Sequence, residues 1–142
     1  IAGQYIDINN IKEMETKIKN KKDLLNMYYL KTGLLFSCAI KIGALLGDAS
    51  KEEIRILDKV GKNIGIAYQI RDDLLDCQNV ENTGKDQNKD EENGKITSVT
   101  LLGREEAQKE FQNLIDKAKI EIKKVKRNTL QILEIIEFIE NE

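Results

Sequence analysis

The chain has 142 residues, of which 40% are apolar and 34% charged, so a single domain with a modest core is expected. Its 23 Lys and Arg residues and 25 Asp and Glu residues give a net charge of −2, which makes no general case for binding nucleic acid or an anionic membrane. The sequence contains no His, which excludes histidine metal ligands and Ser-His catalytic pairs. Because Pro is absent and Leu, Ile, Lys and Glu are abundant, we predict an all-α fold.

The two cysteines and the N-terminal sequence indicate which cellular compartment to expect. Cys38 and Cys77 are far apart and form no C-x-x-C pair, so we expect two small buried hydrophobes in a reducing, cytoplasmic compartment. The most apolar run, residues 33–47, contains Lys41 and is too short to span a bilayer. No basic-then-apolar segment opens the chain, and its first residue is Ile rather than Met. We therefore expect no membrane span, and a chain that is processed or part of a longer product.

The first half of the chain predicts one long helix. After a polar, lysine-rich stretch, residues 23–46 show helical periodicity, and the second half of this segment has so little polar surface that we expect it to be central. Lys31 and Thr32 stand where the polar half becomes apolar, and the Lys alone is typical of a long side chain that reaches to solvent. Gly47 is expected to end the helix.

The next predicted helix begins at a capping box formed by Ser50 and Glu53. Gly61 and Gly65 lie within its apolar pattern and would allow another helix to approach closely, although a break near Gly61 is an alternative. We expect the helix to end where a polar loop begins, at residues 79–96.

Three helical segments follow the loop. Residues 97–102 form a short turn or helix, residues 104–126 an amphipathic helix, and residues 129–139 a final apolar helix. The amphipathic helix has one apolar stripe, made of Ala107, Phe111, Leu114, Ile115, Ala118, Ile122 and Val125. Both longer helices are interpreted as packing elements. We see no internal repeat or second domain, so residues 1–142 are taken as one helical domain.

Three carboxylates lie close together in the otherwise apolar part of the second helix. Asp72, Asp73 and Asp76 have the spacing i, i+1, i+4, so Asp72 and Asp76 share a helix face, and Gln69 lies one turn earlier. Unpaired carboxylates are very costly in an apolar core, so these must face water, cations or a metal. A cluster of hard oxygen ligands without nitrogen or sulfur suits Mg²⁺ or Ca²⁺.

The segment 68–76, Y-Q-I-R-D-D-L-L-D, closely resembles the second aspartate-rich motif of the trans-type isoprenyl diphosphate synthases, the farnesyl and geranylgeranyl diphosphate synthase family. Other segments resemble family motifs in the same order along the chain. They are G-Q-x-x-D at residues 3–7, K-T-G-L-L-F at residues 31–36, and G-K-x-x-x-x-D at residues 84–90 followed by G-K-x-T at residues 94–97. The family usually has a Gly in place of Asn88, and often an aromatic-Pro pair in place of Ser98 and Val99.

The resemblance implies the C-terminal portion of an isoprenoid-synthase-type helical bundle, in a transferase that condenses isopentenyl diphosphate with an allylic diphosphate. It implies Mg²⁺ as the metal on Asp72, Asp73 and Asp76. It also implies catalytic and substrate-binding roles for Lys31, Thr32, Gln69 and Lys85, and a substrate-binding role for Lys95. Gln4 and Asp7 stay open between a family role and ordinary polar residues at a helix start.

Family members carry a first D-D-x-x-D motif, followed by arginines, on an earlier helix, and this chain contains a single D-D-x-x-D. We therefore expect that the chain alone cannot condense prenyl groups, and that its partners are an upstream half with the first motif and, as is usual in the family, a second copy in a homodimer. One alternative is a non-catalytic helical module of the same descent, either truncated or a partner subunit. Another is a metal-dependent terpenoid cyclase, against which the Lys31-Thr32 pair and the segment 84–90 argue.

Overall fold

The computed structural model describes the backbone of residues 18–83 and 96–141. Within these ranges the chain forms six α-helices and no strand, which confirms the predicted all-α fold. The helices are α1 (Lys21–Tyr28), α2 (Leu34–Leu46), α3 (Lys51–Thr83), α4 (Ser98–Leu102), α5 (Arg104–Ile122) and α6 (Leu130–Asn141). A π-helical turn, Tyr29–Gly33, joins α1 to α2 without a break in the helical path.

Helix α3 is the longest element, with 33 residues and a length of about 50 Å. The predicted capping box is present, because the Ser50 N–H donates to Glu53 Oε2 at 2.8 Å and the Glu53 N–H donates to Ser50 Oγ at 3.2 Å. The helix passes Gly61 without a break and continues to Thr83, so the prediction that the polar loop begins at residue 79 is wrong for residues 79–83. All but Val80 of these residues are polar, but none is Gly or Pro, and polarity alone does not end a helix.

The core is built on two faces of α3, against α5 and against the α1–α2 segment. All seven apolar residues of the stripe predicted for α5 are buried, although α5 ends at Ile122 and Val125 follows it. Ile136 and Ile139 of α6 complete this side of the core. The residues of α3 that face it are fully or almost fully buried: Val60, Ile64, Ala67 and Ile70.

Two glycines of α3 let the preceding helical segment lie directly against it, as predicted. A Cβ on Gly65 would stand 2.5 Å from the Cα of Gly33, at the end of the π turn. A Cβ on Gly61 would stand 2.6 Å from the Cα of Ser37, in α2. Both distances are too short for any side chain, so the backbones meet here without intervening side chains. This contact sets the π turn beside the middle of α3.

The prediction that the second half of the first long helix is central is wrong. Five of its large apolar residues are exposed, and Leu46 reaches 82%; the others are Leu34, Leu35, Ile42 and Leu45. Helix α2 packs chiefly against α3, through a face where Ser37 Oγ donates to Asp58 Oδ1 at 2.6 Å. Cys38 is also exposed and Cys77 is half-buried, so the expectation of two buried cysteines is wrong as well. The apolar composition of α2 predicts that its side chains are buried. It does not show whether the surface that buries them belongs to this chain.

Helix α1, the π turn and α2 together form one helical run of 26 residues, Lys21–Leu46. By length and composition this run is able to cross a membrane, whereas the predicted absence of a span was argued from the shorter apolar run alone. A helix that packs in a soluble protein passes the same test. In its apolar half, Lys41 Nζ lies 3.3 Å from Asp58 Oδ1, an ion pair that joins the run to α3.

Candidate metal and diphosphate site

The three aspartates of the motif differ in their surroundings, although their spacing in the sequence presents them as a set. Asp73 is buried, with 7% of its surface exposed, whereas Asp72 is half-buried and Asp76 is exposed. The helical spacing explains the difference, because Asp72 and Asp76 lie one turn apart on one face and Asp73 is rotated by about 100° towards the protein.

The Asp73 carboxylate accepts three hydrogen bonds at one oxygen. Its Oδ2 receives the Tyr28 hydroxyl, the Ser98 backbone N–H at 2.7 Å and the Ser98 hydroxyl at 2.8 Å. Tyr28 is 2% exposed and Ser98 is fully buried. A buried carboxylate is tolerated only when such donors replace its water, so this network explains how Asp73 can lie inside the fold.

Tyr28 acts in this network as a donor. Burial, and then the negative charge of Asp73, raise the pKa of the Tyr28 hydroxyl well above its ordinary value of 10.0. The hydroxyl therefore keeps its proton across the physiological range and donates a hydrogen bond to the carboxylate.

Asp72 lies in a field of unbalanced negative charge. Burial raises the pKa of its carboxyl above the ordinary value, and the charge of Asp76 adds to this effect. The positive charges of Arg71 and Lys31 lower the pKa and offset the rise only in part. Two carboxylates on one helix face, one of them partly desolvated, are therefore stabilised by an added cation.

The structure brings together three of the predicted site residues from two distant parts of the chain. Thr32 Oγ1 donates to Gln69 Oε1 at 3.0 Å, from the π turn to α3. Lys31 precedes Thr32 on the same turn, and its charge acts on Asp72. A π turn often marks a functional site, and this one presents the Lys-Thr pair to the helix that carries the aspartates.

The arrangement fits a metal shared with a phosphate ligand better than a closed protein cage. Within the described residues, no three Asp, Glu, Cys or His side chains converge to hold a metal ion on their own. Mg²⁺ keeps several waters and is commonly bound through one or two carboxylates together with substrate phosphates. Asp72 and Asp76 are two carboxylates of this kind, with Lys31 nearby for the phosphate charge.

Four predicted residues lie outside the part of the chain that the structure describes. Gln4 and Asp7 precede residue 18, and Lys85 and Lys95 fall between residues 83 and 96. Their proposed roles remain predictions from the sequence.

Three further residues at the site are not indicated by any sequence pattern. Tyr28 lies in the apolar pattern of its helix, so nothing distinguishes it from a packing residue. Ser98 was noted only as a departure from the aromatic residue common in the family. Arg71 donates from Nη1 to the Ile139 carbonyl at 3.5 Å and lies over the Phe138 ring, 5.9 Å from its centroid. It thereby ties the motif helix to α6, a contact that no local pattern reveals.

A helical bundle that presents an aspartate motif to a Lys-Thr turn is the C-terminal portion of an isoprenoid-synthase-type fold. The polyprenyl synthetase family model matches residues 1–133, and the chain belongs to this family. The resemblance expected from the motifs is thereby confirmed.

Individual relatives agree with this assignment. The chain is 40% identical over 131 residues to a farnesyl diphosphate synthase of Escherichia coli K12, a match that covers 91% of this chain and 42% of the relative. It is 33% identical over 143 residues to a geranylgeranyl diphosphate synthase of Cyanophora paradoxa, covering 99% of this chain and 46% of the relative. An FPP/GFPP synthase structure from Zymomonas mobilis has a TM-score of 0.72 and 29% identity, covering 97% of this chain and 44% of that one. The chain thus spans less than half the length of these proteins.

Proposed function

We propose that this chain supplies one wall of a prenyltransferase active site, in which isopentenyl diphosphate condenses with an allylic diphosphate. The observation that carries the proposal is the electrostatic arrangement around Asp72, with Asp76 on the same face and Lys31 on the turn opposite. Opposed carboxylates and a lysine are what a metal–diphosphate pair requires, and membership of the polyprenyl synthetase family supports the same ligand.

Each residue has a specific role in this proposal. Asp72 and Asp76 hold Mg²⁺, and Lys31, Lys85 and Lys95 bind the diphosphate oxygens. Asp73, the third aspartate predicted as a ligand, has its Oδ2 taken by hydrogen bonds from Tyr28 and Ser98, so its role in this proposal is to support the other two. Mg²⁺, when bound, supplies charge neutralisation for the diphosphate that leaves as the allylic C–O bond breaks. Thr32 and Gln69 lie beside the allylic chain, and their mutual hydrogen bond holds the hydroxyl and the amide in place before substrate arrives.

The proposed partners are inferred from the exposed apolar surface of α2 and from the number of aspartate-rich motifs in the chain. The exposed apolar residues of α2 and the single aspartate-rich motif support assembly with an upstream half that carries the first motif, in a homodimer. In this assembly α2 packs on protein and does not cross a membrane, the location is cytoplasmic, and residues 1–142 form one helical unit.

The test begins with the native mass of the purified protein and the denatured mass of each component. We expect the assembly to contain the first D-D-x-x-D motif, in the same polypeptide or in a second component, and to transfer prenyl groups only when Mg²⁺ is present. Within that assembly, Asp72→Asn and Asp76→Asn should each abolish most of the transfer, whereas Asp116→Asn on the exposed face of α5 should not. Absence of transfer when every component is present would overturn the proposal.

The second candidate is a non-catalytic partner module of the same family. It makes the opposite prediction for the same variants. If the assembly transfers prenyl groups equally well with Asp72→Asn and Asp76→Asn, the aspartates of this chain lie outside the working site and its role is structural.

A further inference from the structure

Asp73 has a different environment from the two aspartates that flank it. It is the only one of the three that is buried, and its Oδ2 takes hydrogen bonds from two residues, Tyr28 and Ser98. Neither residue belongs to a motif that points to metal or diphosphate binding. Both are almost completely buried, so neither is placed to touch a substrate.

The two donors come from the two segments that carry the predicted lysines. Tyr28 directly precedes the π turn, which bears Lys31 and Thr32. Ser98 begins α4, directly after the segment that bears Lys95, and its cap residue Thr97 is fixed by a capping box with Thr100. Asp73 thus connects the residue before the π turn and the first residue of α4 to the same position of α3.

We propose that Tyr28 and Ser98 are positioning residues for the metal–diphosphate site: by holding Asp73 inside the fold, they set the π turn that bears Lys31, and the start of α4, against α3 beside Asp72 and Asp76. This inference rests on the proposed function. It assigns no contact with substrate to either residue.

The loss of one hydrogen-bond donor would change the position of the Asp73 carboxylate. A buried carboxylate with too few donors is strongly disfavoured and turns towards water, here towards the side of α3 that carries Asp72 and Asp76. There it adds a third negative charge beside Asp72 and Asp76, and the π turn loses one of its contacts with α3. The spacing between the carboxylates and Lys31 is then no longer held for a ligand.

The test compares two adjacent tyrosines that differ in this contact. Tyr28→Phe removes the hydroxyl that donates to Asp73, and Tyr29→Phe removes the hydroxyl of the next residue, whose ring lies 4.9 Å from Lys62 Nζ. The affinity of the purified chain for Mn²⁺ is measured in the presence of inorganic diphosphate, with electron paramagnetic resonance as the readout of bound Mn²⁺. Thermal melting without metal reports separately on folding.

We expect Tyr28→Phe to weaken Mn²⁺ binding about tenfold, the usual size of an effect exerted through a residue that orients a ligand, and Tyr29→Phe to leave it unchanged. Ser98→Ala should cause a smaller loss, because the Ser98 backbone N–H still reaches Asp73. If Tyr28→Phe does not fold, Ser98→Ala decides the matter, and wild-type affinity in that variant overturns the inference. Wild-type affinity in a folded Tyr28→Phe also overturns it. If the unmodified chain binds no Mn²⁺ with diphosphate, the proposed function itself fails.

Discussion

The Thr32 hydroxyl donates a hydrogen bond to Gln69 Oε1 at 3.0 Å, across 37 positions of the sequence. This bond forms because Gly33 and Gly65 allow the π turn and α3 to meet backbone to backbone one turn away. The turn that carries Lys31 is consequently held against the aspartate helix by a side-chain bond and a close backbone contact.

The Thr32–Gln69 bond should be measurable as a coupling energy. Thr32→Val keeps the side-chain shape and removes the donor, leaving the largely buried Gln69 amide oxygen without it, so we expect a loss of about 1 kcal/mol in the free energy of unfolding. Gln69→Met removes the acceptor. In urea titrations the double variant should lose less than the sum of the two single variants. Strict additivity would contradict the bond.

The close approach of the π turn to α3 predicts opposite effects for two glycine substitutions. Gly65→Ala places a Cβ 2.5 Å from the Gly33 Cα and must push the segments apart, so we expect a loss of about 1–3 kcal/mol in the free energy of unfolding. Gly43→Ala, in the middle of α2, meets nothing within 4 Å and should stabilise by up to about 1 kcal/mol through helix propensity. Equal effects of the two substitutions in chemical denaturation would contradict the packing described.

Asp72 should reduce stability when no cation is bound. Its pKa is raised in the folded chain, so the stability that it contributes is present below its ordinary value of 3.8 and is lost as the pH rises through the raised value. We therefore expect Asp72→Asn to be more stable than the unmodified chain at pH 7 without metal, with the difference shrinking towards pH 4. Urea unfolding across this range measures it, and Asp116→Asn is the exposed control. A variant less stable than the unmodified chain at pH 7 would contradict the electrostatic account.

Local sequence patterns predicted much of this fold because its elements are set by local signals. The capping box at Ser50 and the apolar stripe of α5 each depend on spacings within one helix, and both are confirmed. The two glycines of α3 also predicted a close approach correctly, because only Gly leaves room for one. The family resemblance of the aspartate motif is confirmed by the match over residues 1–133.

The remaining features depend on contacts between distant segments. The burial of Asp73 requires Tyr28 and Ser98, which lie 45 and 25 positions away, so spacing within the motif could not separate it from Asp72 and Asp76. The exposure of α2 likewise depends on which other elements pack against it, and its own sequence does not specify them. The π turn lies against Gly65, and the periodicity of the sequence does not distinguish this turn from a uniform α-helix.

The central claim, that Asp72 and Asp76 bind a metal with a diphosphate, is tested most directly by calorimetric titration of inorganic diphosphate into the purified chain, with and without Mg²⁺. The account predicts saturable binding that requires Mg²⁺ and is lost in the Asp72→Asn, Asp76→Asn double variant but kept in Asp116→Asn. Diphosphate binding that is equally strong without Mg²⁺, or that survives in the double variant, would contradict it. So would the absence of any Mg²⁺-dependent binding by the unmodified chain.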